Sequence, residues 1–478
     1  MTDYGKMLSG TESPIPGLTV WELPVHGDNR GWFKENWQRS KMMAAGMPDF
    51  GPVQHNVSFN DAVGTTRGIH AEPWDKFVSV AAGRVHGAWV DLRRGPTFGT
   101  VFTAELDPSR AVFVPRGVGN SFQTLEPGTV FTYLVNDHYS PDISYPCVHP
   151  GDPALAIEWP VPLDRAELSA KDRTAAALAD ITPVEPRKTL VLGASGQLGR
   201  ALRESCAGAS HVEFADRTAF DLTSGSLESA RSWRDYDTII NAAAYTAVDA
   251  AETPTGRAAA WAVNVTGVGA LARIASAYDL TLVHISSDYV FDGGAPRPYR
   301  EDDGPSPLGV YGQTKAAGDQ LVATVARHYI VRTSWVVGTG RNFVQTMLSL
   351  ADRGVDPAVV DDQHGRVTFT SELVRAIRHL TENGAPFGTY NVTGSGPVCS
   401  WADIARRTFA SAGHEPDRVR GVSSAEYFGT ATTPVAPRPA NSTLDLAKVT
   451  ATGFLPADAT ATLDDYVRSV SALTSSSR

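Results

Sequence analysis

Cysteine is scarce: three of 478 residues, Cys147, Cys206 and Cys399. They are far apart and odd in number, which excludes a disulfide framework and a paired-thiolate metal site, so no metal centre is expected and a reducing cytosol fits. The opening Met1-Thr-Asp-Tyr-Gly-Lys leads into a Ser/Pro/Gly stretch with no apolar signal core, and no apolar run reaches the length of a membrane span. A cytoplasmic protein without membrane contact is expected. Basic excess is missing too, since the net charge is -10. That opposes nonspecific nucleic-acid binding, which needs many cations to displace counterions from phosphates. A single diphosphate can still be held by a few local cations and backbone N–H groups.

What is present is ordinary globular material, 42% hydrophobic and 20% charged, in a chain longer than one core usually supports. Between Leu18 and Pro160, short apolar runs such as Phe77-Val-Ser-Val-Ala, Gly87-Ala-Trp-Val-Asp, Ala111-Val-Phe-Val-Pro and Val130-Phe-Thr-Tyr-Leu-Val are broken by Gly, Pro, Asn and Asp. Such spacing predicts an all-β sandwich or barrel. A helix-favouring segment, Ala166 to Ala179, then precedes Thr182-Pro-Val-Glu-Pro-Arg, whose prolines suit a linker. Beyond it, the runs Thr189-Leu-Val-Leu, Thr238-Ile-Ile-Asn and Leu282-Val-His-Ile alternate with helical stretches, which predicts βαβ units on a parallel sheet. The expected division is a first domain over 1–182, a linker over 183–187 and a second domain over 188–478.

In the second half, Gly193, Gly196 and Gly199 follow a strand and open a helix. Glycine there lets the backbone turn tightly against a pyrophosphate, whose charge meets N–H groups at the helix N-terminus. About twenty residues on, Asp216 suits a ribose hydroxyl and Arg217 a 2′-phosphate, so NADH and NADPH both remain open. Tyr311 and Lys315 stand one helical turn apart, where the cation is expected to lower the phenol pKa. Ser287 falls at the end of a preceding strand, the end at which open parallel sheets carry their sites.

These residues lie in segments that resemble dTDP-4-dehydrorhamnose reductase, an extended short-chain dehydrogenase: Leu192-Gly-Ala-Ser-Gly-Gln-Leu-Gly, Asp221-Leu-Thr, Asn241-Ala-Ala-Ala-Tyr-Thr-Ala-Val-Asp-Ala-Ala-Glu252, Ser286-Ser-Asp-Tyr-Val-Phe-Asp-Gly293, Tyr311-Gly-Gln-Thr-Lys, Arg332-Thr-Ser-Trp-Val and Arg438-Pro-Ala-Asn-Ser442. The resemblance implies a Rossmann fold with a small substrate-binding subdomain. Ser287 would polarise a ketone, with Tyr311 as proton donor and Lys315 binding ribose and tuning Tyr311. The cofactor would lie on the glycines, Gln197, Leu198, Asp216, Arg217, Asp221, Leu222, Ala242, Ala243 and Ala244; Asp288 and Trp335 would meet the sugar. Gly365-Arg-Val-Thr368 departs from the family, which more often has proline before the threonine.

In the first half, His70, Lys76 and Tyr133 form a possible acid/base set. A neutral imidazole can take a proton from a C–H beside a ketone, a phenol can return one from the other side, and an ammonium can stabilise the enolate. The zinc-deaminase pattern suggested by His70-Ala-Glu72 and Pro146-Cys147 fails, because its second cysteine position is Pro150.

The stretches Asp28-Asn-Arg-Gly-Trp-Phe-Lys-Glu35, Gln54-His-Asn56, Arg67-Gly-Ile-His70, Asp91-Leu-Arg-Arg-Gly-Pro-Thr-Phe-Gly99, Tyr139-Ser-Pro, Asp152-Pro-Ala-Leu-Ala-Ile-Glu-Trp-Pro160 and Leu168-Ser-Ala-Lys-Asp172 resemble dTDP-4-dehydrorhamnose 3,5-epimerase, a metal-independent cupin of jelly-roll form. The resemblance implies His70 as base oriented by Asp172, Tyr133 as acid and Lys76 beside the enolate. Arg30, Phe33, Glu35, Gln54, Asn56, Arg67, Asn120 and Tyr139 would contact a nucleotide-diphosphate deoxysugar. A histidine–aspartate pair of the family is replaced by Asn120 and Gly87, and Glu72 stands for the usual glutamine.

Together the halves predict a bifunctional nucleotide-sugar enzyme, dimeric through the first domain. It would epimerise dTDP-4-keto-6-deoxyglucose at C3 and C5 and then reduce the C4 ketone, giving dTDP-L-rhamnose. One alternative makes the first domain a noncatalytic sugar-nucleotide module. Another makes the second a 4-epimerase or dehydratase, which returns its hydride.

Overall fold

A computed structural model describes residues 6–139, 144–429 and 431–476. They form two compact units, 1–186 and 187–478.

The first unit is two antiparallel sheets face to face. One orders its strands Ser9–Glu12, Thr19–Glu22, Arg110–Val114, Lys76–Ala82, Thr129–Val135 and Gln54–Asn60; the other orders Thr66–His70, Val118–Thr124, Val85–Asp91 and Val101–Leu106. Their inner faces bury Val78, Val80, Trp89, Val112, Phe122 and Phe131, as strand alternation requires. This is the expected cupin.

The segment Ala166 to Ala179 is not the helix that its composition favours. Only one α-turn, Ala170–Arg173, and a 3-10 turn, Leu178–Asp180, form there. Its backbone is taken by the barrel instead: Thr66 N–H donates to Glu167 O, and His149 N–H to Ala176 O. Part of the expected linker also belongs to this unit. Val184 N–H donates to Leu92 O, and its carbonyl accepts from Arg94.

The second unit is built on a six-stranded parallel sheet in the order Val212–Ala215, Lys188–Leu192, Tyr236–Asn241, Thr281–Ser287, His328–Thr333 and Gly388–Asn391. Helices cover both faces over separate cores, one around Leu190, Ile239, Leu271 and Leu282, the other around Val191, Val283, Leu373 and Ile377. The stretch Pro254–Ala277 is long and apolar enough to cross a membrane by length and composition alone. Its Val268, Leu271 and Ile274 are buried in the first of those cores, where an all-apolar helix face is expected. A smaller lobe of short strand pairs and the helices Phe343–Asp352, Trp401–Ser411 and Ala459–Ser476 follows.

Candidate active sites

In the first unit, His70, Lys76, Tyr133, Asn120, Arg67 and Asp172 all line one cavity of about 490 Å³. His70 ends the strand Thr66–His70, and its Nε2 lies 2.7 Å from Asp172 Oδ1. Asp172 is buried in the turn Ala170–Arg173, whose Ser169 cap accepts from the Asp172 N–H. Burial opposes its charge, but hydrogen bonds from His70 and Ser169 overcome this and hold the carboxyl below its ordinary range. An ionised carboxylate only accepts, so Nε2 carries the proton and Nδ1 is left basic. Lys76, 3% exposed, is ion-paired with Glu72 on the cavity wall. Burial first, then the charge of Glu72, pushes the Tyr133 phenol up, which keeps its proton available.

The other expected contacts divide. Asn56 is the cross-strand partner of Tyr133, and its amide oxygen accepts from Gln54, whose own carbonyl accepts from Tyr139 N–H. That trio flanks the Tyr133 strand but is not part of the cavity wall. Arg30, Phe33 and Glu35 are not brought to the His70 cavity. They belong to the hairpin Val25–Asp28/Gly31–Lys34 and the residue after it. Arg30 pairs with Asp28 and Glu35 with Lys41, and Phe33 is 66% exposed beside a separate groove.

In the second unit the glycine turn is tightly packed. Gly193 has φ 78°, and a Cβ there would lie 2.7 Å from the Ala242 carbonyl carbon; one on Gly199 would lie 2.2 Å from Gly193 O. Glycine therefore lets the turn, the helix Gln197–Ser205 and the Ala242–Ala243 segment meet. Gly196 caps that helix, whose first N–H groups lack intrahelical partners, and the Gln197 side-chain oxygen is buried without one. This cradle fits the diphosphate of a dinucleotide. Asp216 Oδ1 accepts from Thr218 N–H, Thr218 Oγ and Ala219 N–H, whereas the Arg217 side chain is 80% exposed. Asp221, 3.5 Å from Arg217, caps its own turn onto Thr223, and Leu222 is buried under Gly267.

Ser287 ends the strand Thr281–Ser287, and Tyr311 and Lys315 lie on the helix Val310–Val322. The Ser287 hydroxyl donates to Asp288 Oδ1 at 3.0 Å and accepts from Tyr289 N–H. The expected lowering of the Tyr311 phenol by Lys315 does not occur. Burial, then the charge of Asp288, push Tyr311 up to about 12, against the pull of the nearby Ser287 hydroxyl. The Lys315 ammonium points elsewhere, donating to Ile285 O at 2.7 Å and lying 3.2 Å from His284 Nε2. Burial lowers Lys315 to about 8, opposed by Asp319. Asp288 is buried and pushed up to about 6 by that burial, with the nearby Ser442 hydroxyl and a hydrogen bond from Ser287 opposing; its Oδ2 has no hydrogen-bond partner among the described residues. Trp335 is held at φ 47°, rare for a bulky residue, and stacks on Trp401 at 3.9 Å.

Two groups of residues were not singled out in the sequence. Asn264, inside the π-turn Ala262–Gly267, accepts from Tyr245 N–H and donates to Tyr245 O and Thr314 Oγ, tying the loop after the Tyr236–Asn241 strand to the Tyr311 helix. His284 was visible only as the one polar residue inside the apolar run Leu282-Val-His-Ile.

The first unit is thus a cupin with a His–Asp pair in its cavity. The second is a Rossmann-fold oxidoreductase of the short-chain dehydrogenase type. Residues 187–471 match the family model RmlD substrate binding domain, and residues 12–180 that of dTDP-4-dehydrorhamnose 3,5-epimerase. The chain belongs to both families, one through each unit. It is similar to the Protein RmlC homolog of Streptococcus pyogenes, 48% identical over 194 residues that are 39% of this chain and 98% of that one. It is also similar to the dTDP-4-dehydrorhamnose reductase of Mycolicibacterium smegmatis, 38% identical over 281 residues covering 57% of this chain and 82% of the other. The solved dTDP-4-dehydrorhamnose reductase of Bacillus anthracis in complex with NADP is 32% identical, with a TM-score of 0.54 over 59% of this chain and 98% of that one.

Proposed function

We propose that this chain converts dTDP-4-keto-6-deoxyglucose into dTDP-L-rhamnose, the first unit epimerising C3 and C5 and the second reducing the C4 ketone with NADPH or NADH. The carrying observation is the presence of two proton-handling sets: His70 2.7 Å from Asp172 in a cavity with Lys76 and Tyr133, and Ser287 at the carboxyl end of a parallel strand with the buried phenol of Tyr311 on the helix that follows.

In the first site, His70 removes a proton from a carbon beside the ketone while Asp172 holds its ring, Lys76 faces the enolate oxygen, and Tyr133 returns a proton from the other side. Arg67 contacts the sugar nucleotide from the same cavity, with Gln54, Asn56 and Tyr139 at its flank. In the second, Gly193, Gly196, Gly199, Gln197 and Leu198 cradle a diphosphate, and Arg217 reaches toward a 2′-phosphate. Asp216, Asp221, Leu222, Ala242, Ala243 and Ala244 shape the remainder of that cleft. A reduced nicotinamide, when bound, supplies the hydride. Ser287 polarises the ketone and Tyr311, whose raised pKa keeps it protonated, gives its proton to the oxygen as charge develops there. Lys315 binds ribose, and Asp288 and Trp335 position the sugar.

A homodimer through the first unit agrees with the edge strand Gln54–Asn60, which exposes Val57 and Phe59. The hairpin bearing Arg30, Phe33 and Glu35 then serves the site of a second copy. The cytoplasm, where sugar nucleotides and reduced nicotinamide are both available, is the proposed location.

The test is incubation of the keto sugar in D2O with reduced cofactor, followed by NMR. Deuterium at C3 and C5 of a reduced sugar is the expected result, and none at either carbon refutes epimerisation. Cofactor consumed mole for mole excludes a 4-epimerase or dehydratase, and loss of product with His70→Ala excludes a noncatalytic first unit.

A further inference from the structure

Across the smaller sheet of the first unit, His70, Asn120, Trp89 and Phe102 stand opposite one another on successive strands. Directly opposed residues share one face of a sheet, so the cavity residues His70 and Asn120 are continued by Trp89. The indole is fully buried and stacked with Phe102 at 5.8 Å and 27°, which fixes its plane. Its Nε1–H donates to Asn120 Oδ1 at 2.9 Å.

An indole nitrogen can only donate. The end of the amide that meets Trp89 must therefore be oxygen, and the NH2 of Asn120 is turned the other way, toward the cavity that this residue lines. Gly87 belongs to the same arrangement. A Cβ there would lie 2.3 Å from the Trp89 ring, so the indole fills the space in which a side chain at position 87 would stand. A carboxylate at 87 has no room, and the partner that replaces it is a donor where a carboxylate would accept.

On the epimerase reading given above, we propose that Trp89 is a positioning residue that holds the Asn120 amide with its nitrogen toward the enolate oxygen, making Asn120 a neutral catalytic donor. When His70 takes the proton from a carbon beside the ketone, the C–H electron pair becomes the C=C bond and the carbonyl pair moves onto oxygen. Asn120 donates to that oxygen without changing its own protonation, and reprotonation at carbon restores the ketone. Lys76 is the other donor expected there, but its charge is partly offset by the Glu72 ion pair. A correctly turned amide then carries more of the stabilisation than it would beside a free ammonium.

The test is deuterium exchange at C3 and C5 of dTDP-4-keto-6-deoxyglucose in D2O, followed by NMR on the full chain without nicotinamide. Asn120→Asp keeps an acceptor for Trp89 but turns a second oxygen into the cavity. It is expected to slow exchange by about 10²–10³-fold, the loss typical of one oxyanion donor. Asn120→Asp exchanging at near the wild-type rate overturns the proposal, because a donor facing the enolate oxygen would then have been replaced by a carboxylate without loss. Trp89→Phe keeps a ring and loses the N–H. It is expected to lower the exchange kcat with little change in KM, and to cost nothing further in an Asn120→Ala background. Losses that multiply in the double variant overturn the positioning role. If the wild-type chain shows no exchange, or His70→Ala exchanges as fast as wild type, the epimerase reading itself fails and takes this proposal with it. Wild-type exchange that depends on His70 but not on the side chain at 120 sinks the proposal alone.

Discussion

His284 Nε2 lies 3.2 Å from Lys315 Nζ, and both side chains are shut off from solvent. The other ring nitrogen is 3.1 Å from Asn241 Nδ2, and Asn241 Oδ1 accepts from Ala243 N–H. The amide must then donate to Nδ1, which leaves an Nε2–H facing Lys315. A donor facing an ammonium favours the neutral amine, in the same direction as the burial that lowers Lys315 to about 8 and that also lowers His284. Asp319, 4.0 Å from His284 and paired with Arg332, opposes this.

A pH dependence follows from Lys315. Its folded pKa of about 8 lies below the ordinary 10.5, so between these values the unfolded chain holds a proton that the folded chain has lost. This group therefore contributes stability that rises with pH from about 8 to 10.5. Reduction needs the ammonium, so kcat/KM is expected to fall above about pH 8. His284→Gln, whose carbonyl can accept from the ammonium, is expected to move that fall to higher pH. A profile level to pH 10 would contradict both statements.

Replacing Tyr311 by Phe removes the proton donor and keeps the ring. The loss in kcat for reduction is expected to be about 10²–10⁴-fold, the usual contribution of a general acid. Cofactor binding should be little changed, and nicotinamide absorbance measures the rate directly.

The His70–Asp172 pair is expected to act only in the first half-reaction. His70→Ala should slow exchange in D2O by about 10²–10⁴-fold. Asp172→Asn should also slow it, because an amide can turn a donor toward Nε2 and disfavour the tautomer that leaves Nδ1 basic. Both variants should reduce a pre-epimerised sugar at the wild-type rate, and a fall in that rate would point to damage beyond the first site.

Arg217 is expected to choose the cofactor. Asp216 already accepts three hydrogen bonds within its own turn, while the Arg217 guanidinium extends into solvent. Arg217→Ala should raise KM for NADPH by about tenfold or more, in line with loss of a charge-assisted bond. KM for NADH should stay nearly constant, and equal effects on the two would remove Arg217 from this role.

Much of the molecule was legible in the sequence because its signals are local. The Gly193, Gly196 and Gly199 spacing is a turn that only a few side-chain-free positions permit, and Tyr311 and Lys315 are neighbours through the helical period alone. Where local preference and tertiary demand diverged, the sequence misled. Ala166 to Ala179 has helix-favouring residues, but its backbone groups are taken by the barrel at Glu167 and Ala176. The proximity of Lys315 to Tyr311 in sequence likewise said nothing of where the ammonium would point or how strongly burial would act.

Hydrophobic period and turn chemistry, which need only adjacent residues, determined the two-unit plan, the parallel sheet and the glycine turn, whereas the expected acid/base residues came from the resemblance of their motifs to two families. The His70–Asp172 contact, expected from the resemblance, is made physically by folding across 102 positions, and tertiary structure alone decided that Trp89 donates to Asn120 and that Lys315 faces a buried imidazole. Those contacts depend on which distant strands pair and how much water packing excludes. Burial and donor–acceptor matching are properties of the assembled core, and no short stretch of chain contains them.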